Sequence, residues 1–396
     1  LSEIQHTRPG IAVAKQCNVL RAHMISRALV LALMLATITT VGGQTGSVMK
    51  IDHSFELIDY DPGIEGSTHH SASRWVLVIG AEGYAIAMDK ESPSTIIPLA
   101  KSTTEDLLDS DYHPGGNTAL AVGKNGTTLR YSNADQSLEM AAQEQSFGFD
   151  TLLSVSWNAN GEWAYVGAEE GSLFRMRTTS DGGAEVLPIP GTGGSAINAI
   201  DCLPDPFVCV VVSQDQGIGV IDRDHRLSWI GGSGKPWSDV ICRSGGTPVC
   251  IGISMERYLA EVSFDGGIPS VDQKQLTGTL GTPMSLGLTG LGEILVVSTP
   301  AEILEHRPHS GGTYTWLTRE DINSQSFGIG GSTITSHWDG SGEDHWIVTR
   351  DGTVALLIPV QSGEAPGIAR LVTLLALGTM GLMALGIWST RSRGAS

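Results

Sequence analysis

Residues 155–176 read VSWNANGEWAYVGAEEGSLFRM: an apolar run, a polar turn through Asn160-Gly161, a second apolar run, a turn closed by Gly171, and a third run. Short runs rich in aromatic and β-branched residues, separated by Asn-Gly and Gly turns, specify three antiparallel strands. The last copy, residues 336–358, reads SHWDGSGEDHWIVTRDGTVALLI and keeps the same order of strand, turn and strand. Aligning the copies on the residue that closes the second turn gives Gly83, Gly126, Gly171, Gly217, Arg257, Glu302 and Gly352, with spacings from 40 to 50 residues. Arg257 and Glu302 stand where the turn glycine belongs, so their turns are expected to avoid positive φ or to shift register.

Most copies offer a fourth strand after the third: Ser94–Leu99, Ser137–Ala142, Ala184–Ile189, Arg226–Ile230 and Thr313–Thr318. The seventh copy has none before Pro366, but the segment Val48–Ile58 has the alternation to supply it. Seven four-stranded units of this period predict an all-β, seven-bladed β-propeller, closed by joining its first strand to its last blade so that no sheet edge is left open. The unit from Val155 resembles a blade of the WD40-type or PQQ-like propellers across residues 47–360, although the Trp-Asp dipeptide that closes the third strand in WD40 blades is absent from every unit. The resemblance implies a platform more than a chemistry.

Composition agrees with a turn-rich β protein. Fifty glycines in 396 residues are about twice the usual share, while charged residues make only 17%. A net charge of −18 repels phosphate backbones and argues against nucleic-acid partners. A hydrophobic content of 41% excludes a disordered chain.

The two ends read as membrane-targeting segments. Leu371–Trp388 carries no charge and is flanked by Arg370, Arg391 and Arg393, which predicts a transmembrane helix over 367–390 and a cytoplasmic tail over 391–396. Gly378, Gly381 and Gly386 make no GxxxG face. The Pro366-Gly367 junction, helix and arginines are similar to archaeal PGF-type sorting tails, with Ile368 in place of the Phe. Ala28–Val41, preceded by Met24 and Arg27, reads as a signal peptide over 24–43, with residues 1–23 as a misassigned start. The propeller would then occupy residues 44–362 outside the cytoplasm, on a single-pass cell-membrane protein.

Cys202, Cys209, Cys242 and Cys250 fall at matching places in two adjacent units, with partners seven and eight residues apart. A cross-strand disulfide in each hairpin fits an exported domain. Buried free thiols are the second reading and a zinc site the third.

The sequence contains no G-x-S-x-G elbow, H-E-x-x-H, phosphate loop or EF-hand, so no catalytic, cofactor-binding or metal residue is assigned and no cofactor is expected. His69 with His70, His306 with His309, and His337 with His345 read as solvated loop histidines. Asp109 with Asp111, and Asp339 with Glu343 and Asp344, read as acidic turns, without the spacing of a calcium loop. Trp75, Trp157, Trp163, Trp338 and Trp346 are expected in the core, and Trp229, Trp237 and Trp316 near outer strands or loops. Asn125-Gly126-Thr127 is a glycosylation sequon that doubles as a turn.

These features favour a membrane-anchored binding platform, not an enzyme, presenting loops to a protein or glycan ligand. The alternatives are an extracytoplasmic enzyme with a central-channel site, such as a quinone-dependent dehydrogenase or a hydrolase, and a fixed subunit of a membrane complex. For the enzyme, His70, His113 and Asp201 are the first-strand groups at hand.

Overall fold

The computed structural model describes residues 47–360 except 205–206, 244–247, 280, 309–311, 325–328 and 341. The expected signal peptide, transmembrane helix, tail, misassigned start and His309 lie outside the described residues. Among the described residues no helix is long and apolar enough to cross a membrane.

Seven four-stranded antiparallel sheets follow one another along the chain. Their inner strands are Ile64–His69, Leu107–Tyr112, Leu152–Trp157, Ile197–Leu203, Trp237–Arg243, Thr282–Leu288 and Ile334–Asp339, one for each of blades one to seven. Each inner strand packs beside the next, and the seventh packs beside the first, so the ring is closed. Blade seven takes its outermost strand, Met49–Glu56, from the start of the domain; it pairs antiparallel with Thr353–Pro359. That is the closure the segment Val48–Ile58 was expected to make. Blade five has the fourth strand that its sequence did not announce, Ser270–Gln275, a polar and mostly exposed run.

Packing follows from the period of two. Alternate side chains of each sheet enter opposite seams, and seven apolar clusters result, one in each seam between adjacent blades. The closing seam places Trp338 and Trp346 of blade seven against Ile64, Val76 and Val78 of blade one. Trp338 Nε1 also donates to the Lys90 carbonyl at 3.2 Å.

Every inner strand bulges near its start, for example between Leu107 and Asp109 and between Trp237 and Asp239. A bulge bends its strand and increases the local twist, which suits a sheet that must narrow toward the axis. The second turns behave as expected at the glycines, with Gly83, Gly126, Gly171, Gly217 and Gly352 all at positive φ. Arg257 corrects the expectation for blade five. It takes φ +65 despite its side chain, held by its N–H on the Ser254 carbonyl and by Nη1 on the Thr279 carbonyl. Blade six makes this turn with Glu302 already in its third strand.

Two disulfides join Cys202 to Cys209 in blade four and Cys242 to Cys250 in blade five. Each pair stands directly opposed on the inner and second strands. The free-thiol and zinc readings are thereby set aside. Each bond closes a loop of about eight residues, worth roughly 2 to 3 kcal/mol by chain entropy. Replacing either pair by alanines is expected to lower unfolding free energy by that amount in denaturant titrations. Four free thiols in non-reducing mass spectra of the native protein would contradict both bonds.

Candidate functional site: the central channel and the seam between blades two and three

The inner strand of each blade has one edge paired within its sheet and the other turned toward the neighbouring inner strand, where backbone N–H groups need partners. Aspartates supply several of them. Asp109 Oδ2 accepts the Val155 N–H of blade three at 2.7 Å while its Oδ1 accepts the Ser110 N–H at 2.8 Å. Asp111 Oδ2 accepts the Trp157 N–H at 2.8 Å. Asp201 links Cys202 N–H to Cys242 N–H of blade five, at 2.7 and 2.6 Å. Asp239 links Val240 N–H to Leu286 N–H of blade six, at 2.7 and 2.6 Å. Each carboxylate is a clasp from one blade to the next.

These groups titrate far from ordinary carboxylates. Burial in the wall pushes Asp109 up to about 8, Asp201 and Asp239 to about 7, and Asp111 to about 6, against the pull of their N–H donors. Repulsion from Asp111 and Asp239 adds to the rise at both Asp109 and Asp201. Asp109 and Asp111 are therefore inter-blade clasps and not the solvated acidic turn the sequence suggested.

Blades seven and one bring imidazoles to the ring. His337 lies over Gly287 of blade six so closely that a Cβ there would sit 1.4 Å from its Cε1. Burial lowers His337 to about 4, leaving the ring neutral. Desolvation by the surrounding strands also lowers His69, although the residue keeps part of its surface exposed at the end of its strand. His345 Nδ1 is 2.8 Å from Asp339 Oδ1, and its ring stacks at 4.5 Å on Trp316. His337, His345 and His306, which is 1% exposed, are thus packed groups, not solvated loop histidines. Among the described residues no three His, Cys, Asp or Glu side chains converge to hold a metal ion.

His70 and His113 sit just beyond the inner strands of blades one and two, and each wedges against the turn of the next blade. Nδ1 of His70 accepts the Ala72 N–H and that of His113 the Gly115 N–H, at 3.1 and 2.9 Å. His113 Nε2 then meets the Gly161 carbonyl at 3.1 Å. Gly116 and Gly161 receive these rings at φ +71. A Cβ would lie 2.5 Å from His70 Nδ1 or 2.3 Å from His113 Nε2, so a side chain is excluded on both counts. Of the three first-strand candidates, Asp201 alone belongs to the inner ring, and there it is a clasp.

The tryptophan expectations need one correction. Trp338, Trp163 and Trp346 are buried as expected, and Trp229 and Trp316 lie on the outermost strands of blades four and six, Trp316 buried there, but Trp237 is at 0% exposure on an inner strand. Trp237 opens the inner strand of blade five and donates Nε1 to the Gly232 carbonyl at 2.7 Å. Asn125 is exposed in its turn with φ +58, and Glu82 takes φ +52 at the same place in blade one, which shows what shape the turn needs.

A hollow of about 650 Å³ opens in the seam between blades two and three. Arg130 of blade two and Trp157, Met176 and Arg177 of blade three line it. Trp157 meets the His113 ring edge to face at 4.8 Å, and Arg130 Nη1 reaches Thr178 Oγ1 at 3.5 Å. Sequence reading missed this cleft because its walls come from residues some 45 positions apart, a separation no local pattern registers.

No protein-family model matches the chain, and no curated protein is recognisably similar to it. Solved structures are similar in fold. A streptogramin B lyase structure superposes with a TM-score of 0.64 at 12% identity, over 79% of this chain and 98% of that one. Virginiamycin B lyase from Staphylococcus aureus does so with a TM-score of 0.63 at 10% identity, over 79% and 100%. At such identities the likeness establishes the propeller fold and carries no activity with it.

The clasps predict a pH dependence. A carboxyl whose folded pKa is raised adds stability that is full below its unfolded value and is lost as pH rises through the folded one. His337, lowered in the fold, acts oppositely, adding stability above its ordinary value that is lost as pH falls toward about 4. Above roughly pH 6.5, the ordinary histidine value, the aspartates prevail, so the melting temperature is expected to fall between pH 6.5 and 8.5. Asp109→Asn together with Asp239→Asn should flatten that slope and cost about 1 to 3 kcal/mol for each clasp left imperfect. An unchanged slope in the double variant would refute the assignment.

Proposed function

We propose that the propeller is a membrane-anchored, extracytoplasmic binding platform. The observation that carries this reading is the use made of the inner-ring acids. Asp109, Asp111, Asp201 and Asp239 all have an oxygen committed to a backbone N–H of the next blade, so the ring's carboxylates serve the scaffold. A cleft of about 650 Å³, by contrast, lies in a seam between blades and mixes aromatic, cationic and hydroxyl groups. Paired disulfides suit an oxidising compartment. A rigid disc presents its ligand groups with little ordering cost.

A second reading has its own support: Asp339 Oδ1 and His345 Nδ1 stand 2.8 Å apart beside His337, and two of the similar solved structures are lyases. One experiment separates the two. Full-length protein in detergent, used as bait on envelope extracts, is expected to retain a glycan or protein partner saturably, with retention the same for wild type and for His337→Gln. Failure to retain any partner, with turnover of an envelope component lost in His337→Gln, would replace the platform by the enzyme.

A further inference from the structure

We propose that the cleft between blades two and three binds a hexuronate, a sugar unit carrying one carboxylate, with Arg130 as its charge anchor. The proposal rests on the platform reading and names its ligand class.

The cleft has the size of a small-molecule site, within the roughly 300 to 1,000 Å³ that such sites occupy. It is open because the outer part of this seam is filled sparsely. Blade two contributes Arg130 and Ala141 there, and blade three Thr178 and Ser180. At the seam between blades one and two, Tyr112, Tyr131 and Leu138 fill the space with the help of Trp75.

Charge sets the ligand's valence. Three lining side chains carry formal charge: Arg130, Arg177 and Glu162. Arg177 is committed, with Nε 2.6 Å from Glu185 and Nη1 3.7 Å from Glu162. Arg130 makes no ion pair with a described carboxylate: Glu139 stands directly across from it on the fourth strand but is exposed and does not close on it, and the arginine's described hydrogen bond is the long one to Thr178. A guanidinium whose one acidic neighbour is solvated and unengaged can turn its fork to a planar carboxylate in the cleft. A second negative charge on the ligand would face Glu162, so a monoanion is preferred over a phosphate ester.

The remaining groups fit a sugar ring. Trp157 lines the cleft, its indole meeting the His113 ring edge to face at 4.8 Å. Its indole and Met176 offer apolar surface for the C–H face of a pyranose, while Thr118 and Ser180 offer hydroxyls for the edge. A flat hydrocarbon acid would leave those polar groups unanswered.

Titration calorimetry on the full-length protein with digalacturonate, and with neutral galactobiose as comparator, tests the proposal. Digalacturonate is expected to bind in preference to galactobiose. Arg130→Met should weaken it by about tenfold or more, the usual loss for a charge-assisted contact. Arg130→Lys should fall between the two, Trp157→Phe should weaken binding less than Arg130→Met, and Arg74→Met, outside the cleft, should match wild type; unchanged melting curves certify the fold. Equal affinity for the two sugars, no binding by wild type, or equal affinities for Arg130→Met and Arg74→Met would overturn it. If digalacturonate fails while envelope extracts still yield a saturable partner, the ligand class is wrong and the platform stands; if both fail, both fall.

Discussion

A ring of radial sheets poses one problem that the hydrophobic effect does not solve. The axis-facing edge of each inner strand carries backbone N–H groups that belong to no ladder, in a place where the next sheet is close and water is restricted. An unpaired N–H there costs about as much as a lost hydrogen bond. This protein answers with carboxylates. Asp109, Asp111, Asp201 and Asp239 each lend an oxygen to the next blade, and each also binds the N–H of its own following residue. The bulge at the head of each inner strand is part of the same solution, since Asp109 and Asp239 are the first paired residues after it.

The clasps explain why the inner ring offers so little chemistry despite its acids. A carboxylate that accepts two N–H groups is fixed in place with half of its acceptor sites filled, so it is held as part of the scaffold and not free to swing to a substrate. Burial nevertheless draws these groups toward neutrality. The two tendencies make the ring a titratable element of the scaffold. Blades two, four and five carry the clasping aspartates, while the inner strands of blades seven and one carry His337 and His69, both lowered by desolvation, so the ring's polar groups are unevenly distributed although its backbone repeats sevenfold.

What the sequence disclosed was whatever repeats locally. The turn glycines marked the period, alternation in Val48–Ile58 identified the closing strand, and the matched cysteines identified their own partners. What it withheld depends on neighbours about 45 residues away. Nothing within Leu107–Tyr112 says that Asp109 will reach Val155, or that His113 will require a glycine at position 161. A signal was nonetheless present: aspartates recurring at related places in first strands, in a protein whose acids otherwise crowd its turns. Trp237 was misplaced for a similar reason, because the strand it opens follows a Gly-rich turn and its burial comes from Gly232 and the core it shares with blade four. Arg257 shows the opposite limit, a local preference overruled because two backbone carbonyls hold the turn in place.

Sevenfold regularity also makes departures from it informative. The seams between blades share one backbone geometry, so a seam that stays hollow does so because of its side chains. Between blades one and two, aromatic rings meet edge to face, Tyr112 with Tyr131 at 6.2 Å, and the seam is filled. One blade further on, Arg130 follows Leu129 on the same strand but lines the cleft toward blade three, and Ala141 beside it is too small to fill the space. The arginine stem lies along apolar surface while its head reaches the opening, as long cationic side chains do. The surrounding negative field opposes the approach of anions from a distance, but over more than about 8 Å that field is screened at physiological ionic strength, whereas contact with a partly enclosed guanidinium is screened much less. A cleft lined by arginines on an acidic disc would therefore select by contact and not by long-range attraction.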